Sequence, residues 1–536
     1  MSASIPNFSE TQSQASITGR SRVPKLVWPP QSPEAALRIA SIPEATKNET
    51  RSQRMAQVDS HEPTYLVPIK KLIAAAFGTV DLMESKIWIE EPGLEKPKSH
   101  SAALADLFRD RAPSMRNQDF AQLVYNLPYT DLDIDHYSRR ITRVANAIEN
   151  QLARRRHFFN TDFSDIYFGI SAFDSRVVGR RFMDQLGAHL QAKAQESADP
   201  KADHRITPPQ VVKIFYGLKN LNSYDDDNKI VTDFNTWKPL LKIIREHPDM
   251  SFSNSRNFRG IFEGLQSYEV KDFGPDLLNE IVMHIPEDMQ FRRDDLVDAL
   301  WNFYLKKPDD FSKEALTRLE GMVVRSIEKA DIEFRAIDYY KMLYGLQQFY
   351  DTDMYKFIAG KLRDELKTNE FEISDLNALN LTQAFLYGQY HHAQAKPDAK
   401  ETLKHLRVPS VLQEAAKRFQ KANSGNYASG PEYVAHSVLQ NDFPASRESI
   451  VPNTFLHNFE VDLFDKDRNR VIEIDGHEHS GARIAKDQLK DKVVKYLHQK
   501  RRKQELTIDR IDARPFNDVW TPKLIELAET IYSGVS

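Results

Sequence analysis

Three carboxylates near the C-terminus have the types and spacing of a site that binds a metal ion or a phosphate backbone. Asp462 lies in one run of alternating apolar and polar residues, and Glu473 and Asp475 lie in the next run. Successive side chains of a strand point to opposite faces, so Glu473 and Asp475 share the face opposite Ile472 and Ile474. Like charges on one face repel each other unless a metal ion, a proton or a basic partner compensates them. The pattern therefore predicts a functional site, and the alternative is a set of exposed acids on a solvent-facing strand.

The two runs must pair if these carboxylates are to meet. The link at 465–469 is polar and turn-like, which predicts a hairpin that brings Asp462 near Glu473. Asp462 and Glu473 are then the expected ligands of Mg²⁺ or Mn²⁺, because a magnesium ion is usually held by one or two carboxylates together with substrate phosphate. Since Ile472 and Ile474 must face a helix, we expect the carboxylates to converge at an exposed edge of a small mixed sheet.

Basic residues follow the carboxylates along the chain. The segment 485–500 is predicted to be a helix whose apolar stripe faces the sheet, and Lys486 or Lys490 is expected close to the acids. The densest basic run follows at the helix end and consists of Lys500, Arg501, Arg502 and Lys503. Such a run is usually a solvated face, and beside an acidic site it would instead hold phosphates. His479 would orient a phosphate, donate a proton or cap the turn after Gly476.

These residues resemble the RAP domain, in the branch of the PD-(D/E)XK superfamily that contains very-short-patch-repair endonucleases. The resemblance covers about residues 453–519 and rests on Asp462, on the run from Glu473 to His479, and on the lysine-rich helix. It implies a small α/β restriction-endonuclease-like domain with Asp462, Glu473, Asp475 and His479 as catalytic residues. The lysine of the superfamily would fall at Asp475, and this departure favours nucleic-acid binding over cleavage.

A recurring helical element precedes this domain. Between about 104 and 409 the chain has a helical pattern in which a glycine or asparagine ends an aromatic and aliphatic run at intervals of about 38 to 48 residues, which is the period of two-helix repeats. The positions are Asn126, Gly169, Gly217, Gly264, Asn302, Gly345 and Gly388. Glycine within a helix costs about 1 kcal/mol relative to alanine, so its return predicts close contacts between helices. We expect seven helical hairpins stacked as an α-solenoid.

The repeats together with the C-terminal domain resemble octotricopeptide-repeat and FASTK-like proteins, whose helical repeats precede a RAP domain. The expected fold class is mainly α, with an α-solenoid followed by a small α/β domain. The expected organisation is a disordered leader at 1–60, a solenoid at 61–410, a connecting helical segment at 411–450 and the RAP-like domain at 451–536. Tyr216, Trp301, Tyr344 and Tyr387 would stack on RNA bases in a groove or pack in the core.

Composition restricts the possible functions. The 536 residues include no cysteine, so disulfides and thiolate catalysis are excluded. The formal net charge is −4, so any nucleic-acid surface must be local. No apolar run is long enough to span a membrane, which predicts a soluble protein. The leader, rich in Ser, Thr, Gln and Pro, would be an export signal, an organelle transit peptide or a plain tail.

Three functions follow from these patterns. The first is an RNA-binding protein in which the repeats track single-stranded RNA and the RAP-like domain clamps or processes it. The second is a metal-dependent endonuclease of the PD-(D/E)XK type, acting on RNA or DNA, and the third is a solenoid scaffold that binds proteins. The resemblance associates such proteins with organelle RNA metabolism, or with delivery into a host cell for bacterial members. The triplet Arg154–Arg156 is a further basic candidate, with a helix-end role as its alternative.

Overall fold

A computed structural model describes the parts of the chain that carry most of the candidate residues. The described residues are 116–125, 127, 139–155, 158–173, 178–198, 205–219, 221, 234–247, 249–329, 333–368, 371–398, 402–425, 430–443, 448–475, 481–512 and 520–532. The predicted leader, Asn126, Gly476 and His479 lie outside them. The chain divides into two compact units, at 1–289 and 290–536.

The described part of the first unit is helical. Its helices are α1 (Asn117–Tyr125), α2 (Arg139–Arg154), α3 (Asn160–Ile170), α4 (Arg180–Ala198), α5 (Pro208–Leu218), α6 (Phe234–Glu246), α7 (Ser255–Gly264), α8 (Val270–Phe273) and α9 (Pro275–Met283). Helices α1, α3, α5 and α7 pack one against the next, and α2, α4, α6 and α9 do the same. Two helical layers therefore run through this unit.

The second unit begins with helices and contains a sheet near the C-terminus. Its helices are α10 (Arg293–Trp301), α11 (Lys313–Lys329), α12 (Ala336–Gly345), α13 (Asp353–Glu365), α14 (Asp375–Ala395), α15 (Ser410–Asn423), α16 (Gly430–Asp442), α17 (Gly481–Arg502) and α18 (Trp520–Tyr532). Its strands are β1 (Ile450–Leu456), β2 (Phe459–Asp465), β3 (Arg470–Asp475) and β4 (Thr507–Asp512). The prediction of a mainly helical chain with a small mixed sheet near its C-terminus is confirmed.

Side-chain caps start several of these helices. Before α5, Thr207 and Gln210 form a capping box, and the Thr207 backbone N–H donates to Gln210 Oε1 at 2.9 Å. The side chains of Thr352 and Ser374 cap α13 and α14 in the same way, each accepting from a backbone N–H in the first turn. Each cap satisfies a backbone donor that has no partner within the helix.

Glycines of the recurring element lie where two helices touch. A Cβ added at Gly169, Gly217 or Gly264 would overlap the backbone carbonyl of the preceding helix of that layer, at Val124, Tyr167 and Phe215. In the second unit, Gly345 meets Leu300 in the same manner. The expected close contacts are therefore present at these four positions, because only glycine leaves room for the neighbouring backbone. Gly388 instead faces the side chains of Leu406 and Tyr355.

The sheet has the order β1-β2-β3-β4, with β1, β2 and β3 antiparallel and β4 parallel to β3. Helix α17 connects the two parallel strands. One face of the sheet, with Leu463, Ile472, Ile474 and Ile511, packs on apolar residues of α16 and α18. The prediction that Ile472 and Ile474 face helices is confirmed. Because side chains alternate along β3, Glu473 lies on the other face of the sheet.

Polar residues fix the turns between the antiparallel strands. His457 and Asn458 form the two-residue turn between β1 and β2, and both have positive φ, at 56° and 79°. The Asp465 carboxylate accepts the backbone N–H groups of Asp467 and Arg468 in the next turn, at 3.1 and 3.2 Å. These turns set the strand register. Within the described residues, no helix has both the length and the apolar character that crossing a bilayer requires.

The glycine contacts predict opposite effects of two alanine substitutions. Gly345→Ala should lower the melting temperature, because overpacking against a backbone carbonyl typically costs about 1–3 kcal/mol. Gly360→Ala is the matched control, since Gly360 lies within α13 and a Cβ there has no neighbour within 4 Å. It should leave stability unchanged or raise it by up to about 1 kcal/mol. Equal melting temperatures of the two variants would contradict the assigned helix contact.

Candidate functional site

The candidate carboxylates lie on the face of the sheet that α17 covers. Asp462 is on β2, Glu473 and Asp475 are on β3, and Arg510 lies opposite Glu473 on β4. Asp462 and Glu473 are neighbours across the antiparallel pair, because Leu463 pairs with Ile472. The predicted meeting of these two acids is therefore confirmed.

Asp462 accepts a hydrogen bond from the chain beside it. Its Oδ2 lies 2.7 Å from the backbone N of Ile474. Burial, and then the nearby charge of Glu473, raises the pKa of Asp462 to about 8. A carboxyl group with that pKa is mostly protonated at neutral pH. Protonation removes one of the negative charges that would otherwise repel each other on this face.

Glu473 is compensated by a lysine from α17. Lys490 Nζ donates to both oxygens of Glu473 at 3.0 Å and also to the backbone carbonyl of Glu460 at 3.2 Å. The Glu473 side chain is 7% exposed. Burial raises the pKa of Glu473, although the charge of Lys490 acts to lower it. Burial acts to lower the pKa of Lys490, but the charge of Glu473 outweighs burial, so the pKa of Lys490 is raised. The pair is a buried, doubly hydrogen-bonded ion pair.

Asp475 is bound to a different cation. Arg510 Nη1 donates to Asp475 Oδ1 at 2.6 Å, while Nε and Nη2 of the same guanidinium form a fork with Asp491 of α17 at 2.8 and 2.9 Å. Burial acts to lower the pKa of Arg510, but its hydrogen bonds with Asp491 and the charge of that carboxylate raise it. Arg510 therefore joins β3, β4 and α17 through one planar group.

The expectation of an exposed edge is wrong. Asp462 and Glu473 occupy the two central strands of the sheet, and Glu473 is buried. The reason is that α17 crosses this face between β3 and β4 and supplies Lys490. Among the described residues, no group of three or more acidic or histidine ligands could hold a metal ion. His479 lies outside the described residues.

Lys486 packs on aromatic rings instead of reaching Glu473. Its ammonium group lies 4.3 Å from the ring centroid of Trp301 and 4.8 Å from that of Tyr304, which is cation–π geometry. The Trp301 ring contacts Tyr344, and Tyr344 contacts Tyr387, with centroids 4.9 and 5.1 Å apart. Tyr344 and Tyr387 are buried, as is Tyr216. These tyrosines therefore pack in the core rather than presenting free faces to bases.

Cations occupy the exposed side of α17 and its end. Lys492 and Lys495 are exposed, and so are the four residues of the predicted basic run, Lys500, Arg501, Arg502 and Lys503. Lys500 donates to the Tyr496 hydroxyl at 3.1 Å, and Arg501 to a ring nitrogen of His457 at 3.4 Å. Within the described parts of the chain, no carboxylate pairs with Lys492, Lys495, Arg502 or Lys503. The basic run thus belongs to a longer positive surface.

The second basic candidate has a structural role at Arg155. Its guanidinium lies 4.6 Å from the Phe120 ring centroid and donates to Asn117 Oδ1 at 2.7 Å. Burial lowers the pKa of Arg155. Arg154 is exposed at the end of α2, and Arg156 lies outside the described residues.

Sequence reasoning missed Arg510, Asp491 and Lys495. Arg510 alternates with Ile511 in β4, which indicates its face, but only the parallel pairing of β4 with β3 places it opposite Glu473. The role of Asp491 depends on the same pairing, because Asp491 accepts hydrogen bonds from Arg510. Lys495 was recognisable, because it follows Lys492 by three residues and therefore shares its side of the helix.

The Glu473–Lys490 pair predicts a large stability difference between two lysine substitutions. Lys490→Met should destabilise the chain by about 3–5 kcal/mol, because it leaves the buried Glu473 carboxylate without a cation. Lys492→Met should change stability by less than about 0.5 kcal/mol, because Lys492 is an exposed surface residue. Denaturant unfolding of both variants measures the difference.

A double variant separates the lost ion pair from lost packing. Adding Glu473→Gln to Lys490→Met removes the unpaired charge and should recover part of the stability. If Lys490→Met unfolds at the same denaturant concentration as the wild-type protein, Lys490 does not neutralise Glu473 in the folded chain.

In comparisons with protein-family models and with curated proteins, the chain matches none of them at a significant level.

Proposed function

We propose that this chain is an RNA-binding protein, in which helical repeats and a RAP-like C-terminal domain act on single-stranded RNA. The observation that carries the proposal is the positive surface of α17, defined by Lys492, Lys495, Lys500, Arg501, Arg502 and Lys503. These side chains are exposed on one helix and its end. Lysine and arginine clustered on one helix attract the phosphate backbone of a nucleic acid.

Within the described residues the cations of this surface form no ion pairs, whereas several other lysines of the chain do. Lys341 pairs with Asp298 at 2.8 Å, and Lys213 pairs with Asp165 at 2.5 Å. In the part of α17 that the structure describes, Lys492, Lys495 and Arg502 have no such carboxylate. Cations without internal partners remain available for external phosphates. Because the chain as a whole carries a net charge of −4, a cluster of cations on one helix is a local positive surface.

The helical repeats would also bind RNA. The glycine contacts at Gly169, Gly217, Gly264 and Gly345 recur with the spacing of two-helix repeats. We therefore propose that these helices belong to an α-solenoid of the octotricopeptide or FASTK-like kind. Stacked helical pairs create extended surfaces of the sort that can track a single strand.

The contacts of the carboxylates favour binding over cleavage. Metal coordination needs ionised carboxylates with free oxygens. Glu473 already accepts Lys490, and Asp475 accepts Arg510. The raised pKa of Asp462, about 8, keeps that group protonated at neutral pH. The acids would then hold α17 on the sheet and so support its positive surface.

Neutralising this surface should weaken RNA binding and its salt dependence. Each phosphate contact that is lost lowers the slope of log affinity against log salt by about 0.7 for a single strand. Lys495→Gln with Arg502→Gln should therefore reduce the slope by about 1.4 if each of the two residues contacts one phosphate. Fluorescence anisotropy with a labelled single-stranded oligouridine measures the affinity at several salt concentrations.

Lys417→Gln with Lys421→Gln is the matched control. Both lysines are exposed on α15 in the same unit, and the change in net charge is the same. This variant should keep the wild-type slope. Equal slopes of the two double variants would reject the α17 surface as the site, and no RNA binding at low salt would reject the function.

A second candidate, a metal-dependent endonuclease, is favoured by the position of Lys490. The PD-(D/E)XK pattern needs two acids and a lysine, and Lys490 places an ammonium group beside Glu473 although Asp475 occupies the expected strand position. In this function Asp462 and Glu473 would hold Mg²⁺ or Mn²⁺, which would activate water and stabilise the leaving oxygen. Binding of the ion would have to displace both the proton of Asp462 and Lys490.

Cleavage assays with RNA and DNA test this second candidate. Incubation with Mg²⁺ or Mn²⁺ should cut the substrate, and Asp462→Asn or Glu473→Gln should abolish cutting at a temperature at which circular dichroism shows that both variants are folded. Lys417→Gln with Lys421→Gln should cut at the wild-type rate. The RNA-binding function instead expects intact substrate with either ion, and metal-dependent cutting lost in both carboxylate variants would overturn that expectation.

A further inference from the structure

The turn between β1 and β2 holds a histidine against the end of α17. Gln383 donates to the backbone carbonyl of Asn458 and Gln420 to its Oδ1, both at 2.7 Å, which fixes the turn. The neighbouring His457 ring lies 5.4 Å from the His498 ring between centroids. His457 therefore faces the last turns of the helix that carries the positive surface.

The hydrogen bonds of this cluster have a fixed direction. Arg501 Nη1 lies 3.4 Å from His457 Nδ1, and His457 Nε2 lies 3.4 Å from His498 Nδ1. Arginine has no acceptor, so His457 must accept at Nδ1 and carry its proton on Nε2. His498 then accepts at Nδ1 and carries its proton on Nε2, which is buried without a hydrogen-bond partner. The chain of donors starts at the surface with Arg501.

Among the residues that the structure describes, no carboxylate compensates this cluster. Burial, then the charges of Arg501, His498 and Arg502, lowers the pKa of His457 to about 4, and burial and Arg502 lower the pKa of His498. In the part of the chain that is described, no carboxylate forms an ion pair with His457, His498, Arg501 or Arg502. The groups that face His457 are all basic, although nearby acids usually accompany buried cations.

The contact between α14 and α17 also places a partly buried histidine beside a cation. His391 of α14 is close to Lys492 of α17, and burial followed by that lysine lowers the pKa of His391 to about 4. Its Nε2 is buried and has no hydrogen-bond partner. Two histidines from different elements therefore face cations of α17, which marks a surface suited to a negatively charged ligand.

We propose that His457, Arg501 and Arg502 form a phosphate-binding subsite for RNA, in which His457 takes up a proton as the phosphate binds. The subsite rests on the proposed RNA-binding function and adds a proton-linked contact to it. The phosphate receives N–H donors from both guanidinium groups, which match its geometry better than ammonium groups do. It supplies the negative charge that the cluster lacks.

Proton uptake follows from the same hydrogen bonds. A protonated His457 carries N–H on both ring nitrogens and no longer accepts from Arg501. The guanidinium is then free to turn its donors to the phosphate, and the imidazolium adds a third positive group. Without an anion, the surrounding cations oppose this protonation, and a bound phosphate removes that opposition.

The sign of the pH dependence is determined by this linkage. Phosphate raises the pKa of His457 from about 4 towards its ordinary value of about 6.5, so the complex binds more protons than the free protein. RNA affinity therefore rises as the pH falls through the pKa of the complex, by up to about tenfold per pH unit. The affinity stops rising below the pKa that His457 has in the free protein.

RNA affinity between about pH 8 and about pH 5.5, at constant ionic strength, tests the subsite. The wild-type protein should bind at least about threefold more tightly at the lower pH. His457→Gln, which cannot take up a proton, should lose this gain, so that its affinities at the two pH values are equal. His284→Gln, in the first unit, is the matched control and should keep the gain. Circular dichroism verifies that each variant is folded.

The outcomes separate the subsite from the proposed function. If His457→Gln retains the wild-type pH dependence, the subsite is rejected while RNA binding stands. If wild-type protein does not bind RNA at any pH, the proposed function fails first. Oligonucleotides with a 5′-phosphate or a 5′-hydroxyl identify the source of the phosphate. A pH-dependent gain in affinity with both oligonucleotides assigns the subsite to the RNA backbone. A gain with the 5′-phosphate alone assigns it to the chain end.

An NMR titration keeps the test independent of affinity. In the presence of RNA the pKa of His457, followed by its ring proton, should rise by about 2 units, from about 4 towards its ordinary value of about 6.5. An unchanged pKa in a complex that still forms would overturn the proposal.

Discussion

The ion pair between Lys490 and Glu473 determines how α17 is arranged on the sheet near the C-terminus. It joins α17 to the centre of the sheet through two hydrogen bonds of 3.0 Å. Because a helix turns by about 100° per residue, a lysine at 490 that points to the sheet turns Lys492 and Lys495 away from it. The inward pair therefore creates the outward positive surface, and the acids and the cations of this domain belong to one arrangement.

Arg510 reinforces that arrangement from the neighbouring strand. Its fork to Asp491 fixes α17 one residue after Lys490, and its bond to Asp475 occupies the third candidate carboxylate. Buried ion pairs contribute little net stability compared with apolar packing, but breaking one is costly. Such pairs specify one position of α17 more than they strengthen the fold. The raised pKa of Asp462 has the same origin, because burial on this face disfavours a further negative charge.

The sequence predicted the sheet and α17 wherever the pattern is local. Alternation in β2 and β3 placed Ile472 and Ile474 against helices and Glu473 on the opposite face, and the helical spacing indicated that a lysine would approach it. The exposed edge was wrong because burial of Glu473 depends on where α17 crosses the sheet. Arg510 was missed for a similar reason, since the parallel register of β3 and β4 is set by a crossover and not by local pattern. The glycine contacts were predictable because glycine, which is energetically costly within a helix, recurs at the same position of the helical repeat.

Whether RNA lies along α17 is the central question for the proposed function, and photochemical crosslinking answers it most directly. Irradiation of the full chain with single-stranded RNA containing 4-thiouridine, followed by digestion and mass spectrometry, identifies the peptides in contact. The account predicts crosslinks within residues 492–503 and on the adjoining turn at His457. Crosslinks confined to other peptides, with none in this segment, would contradict it.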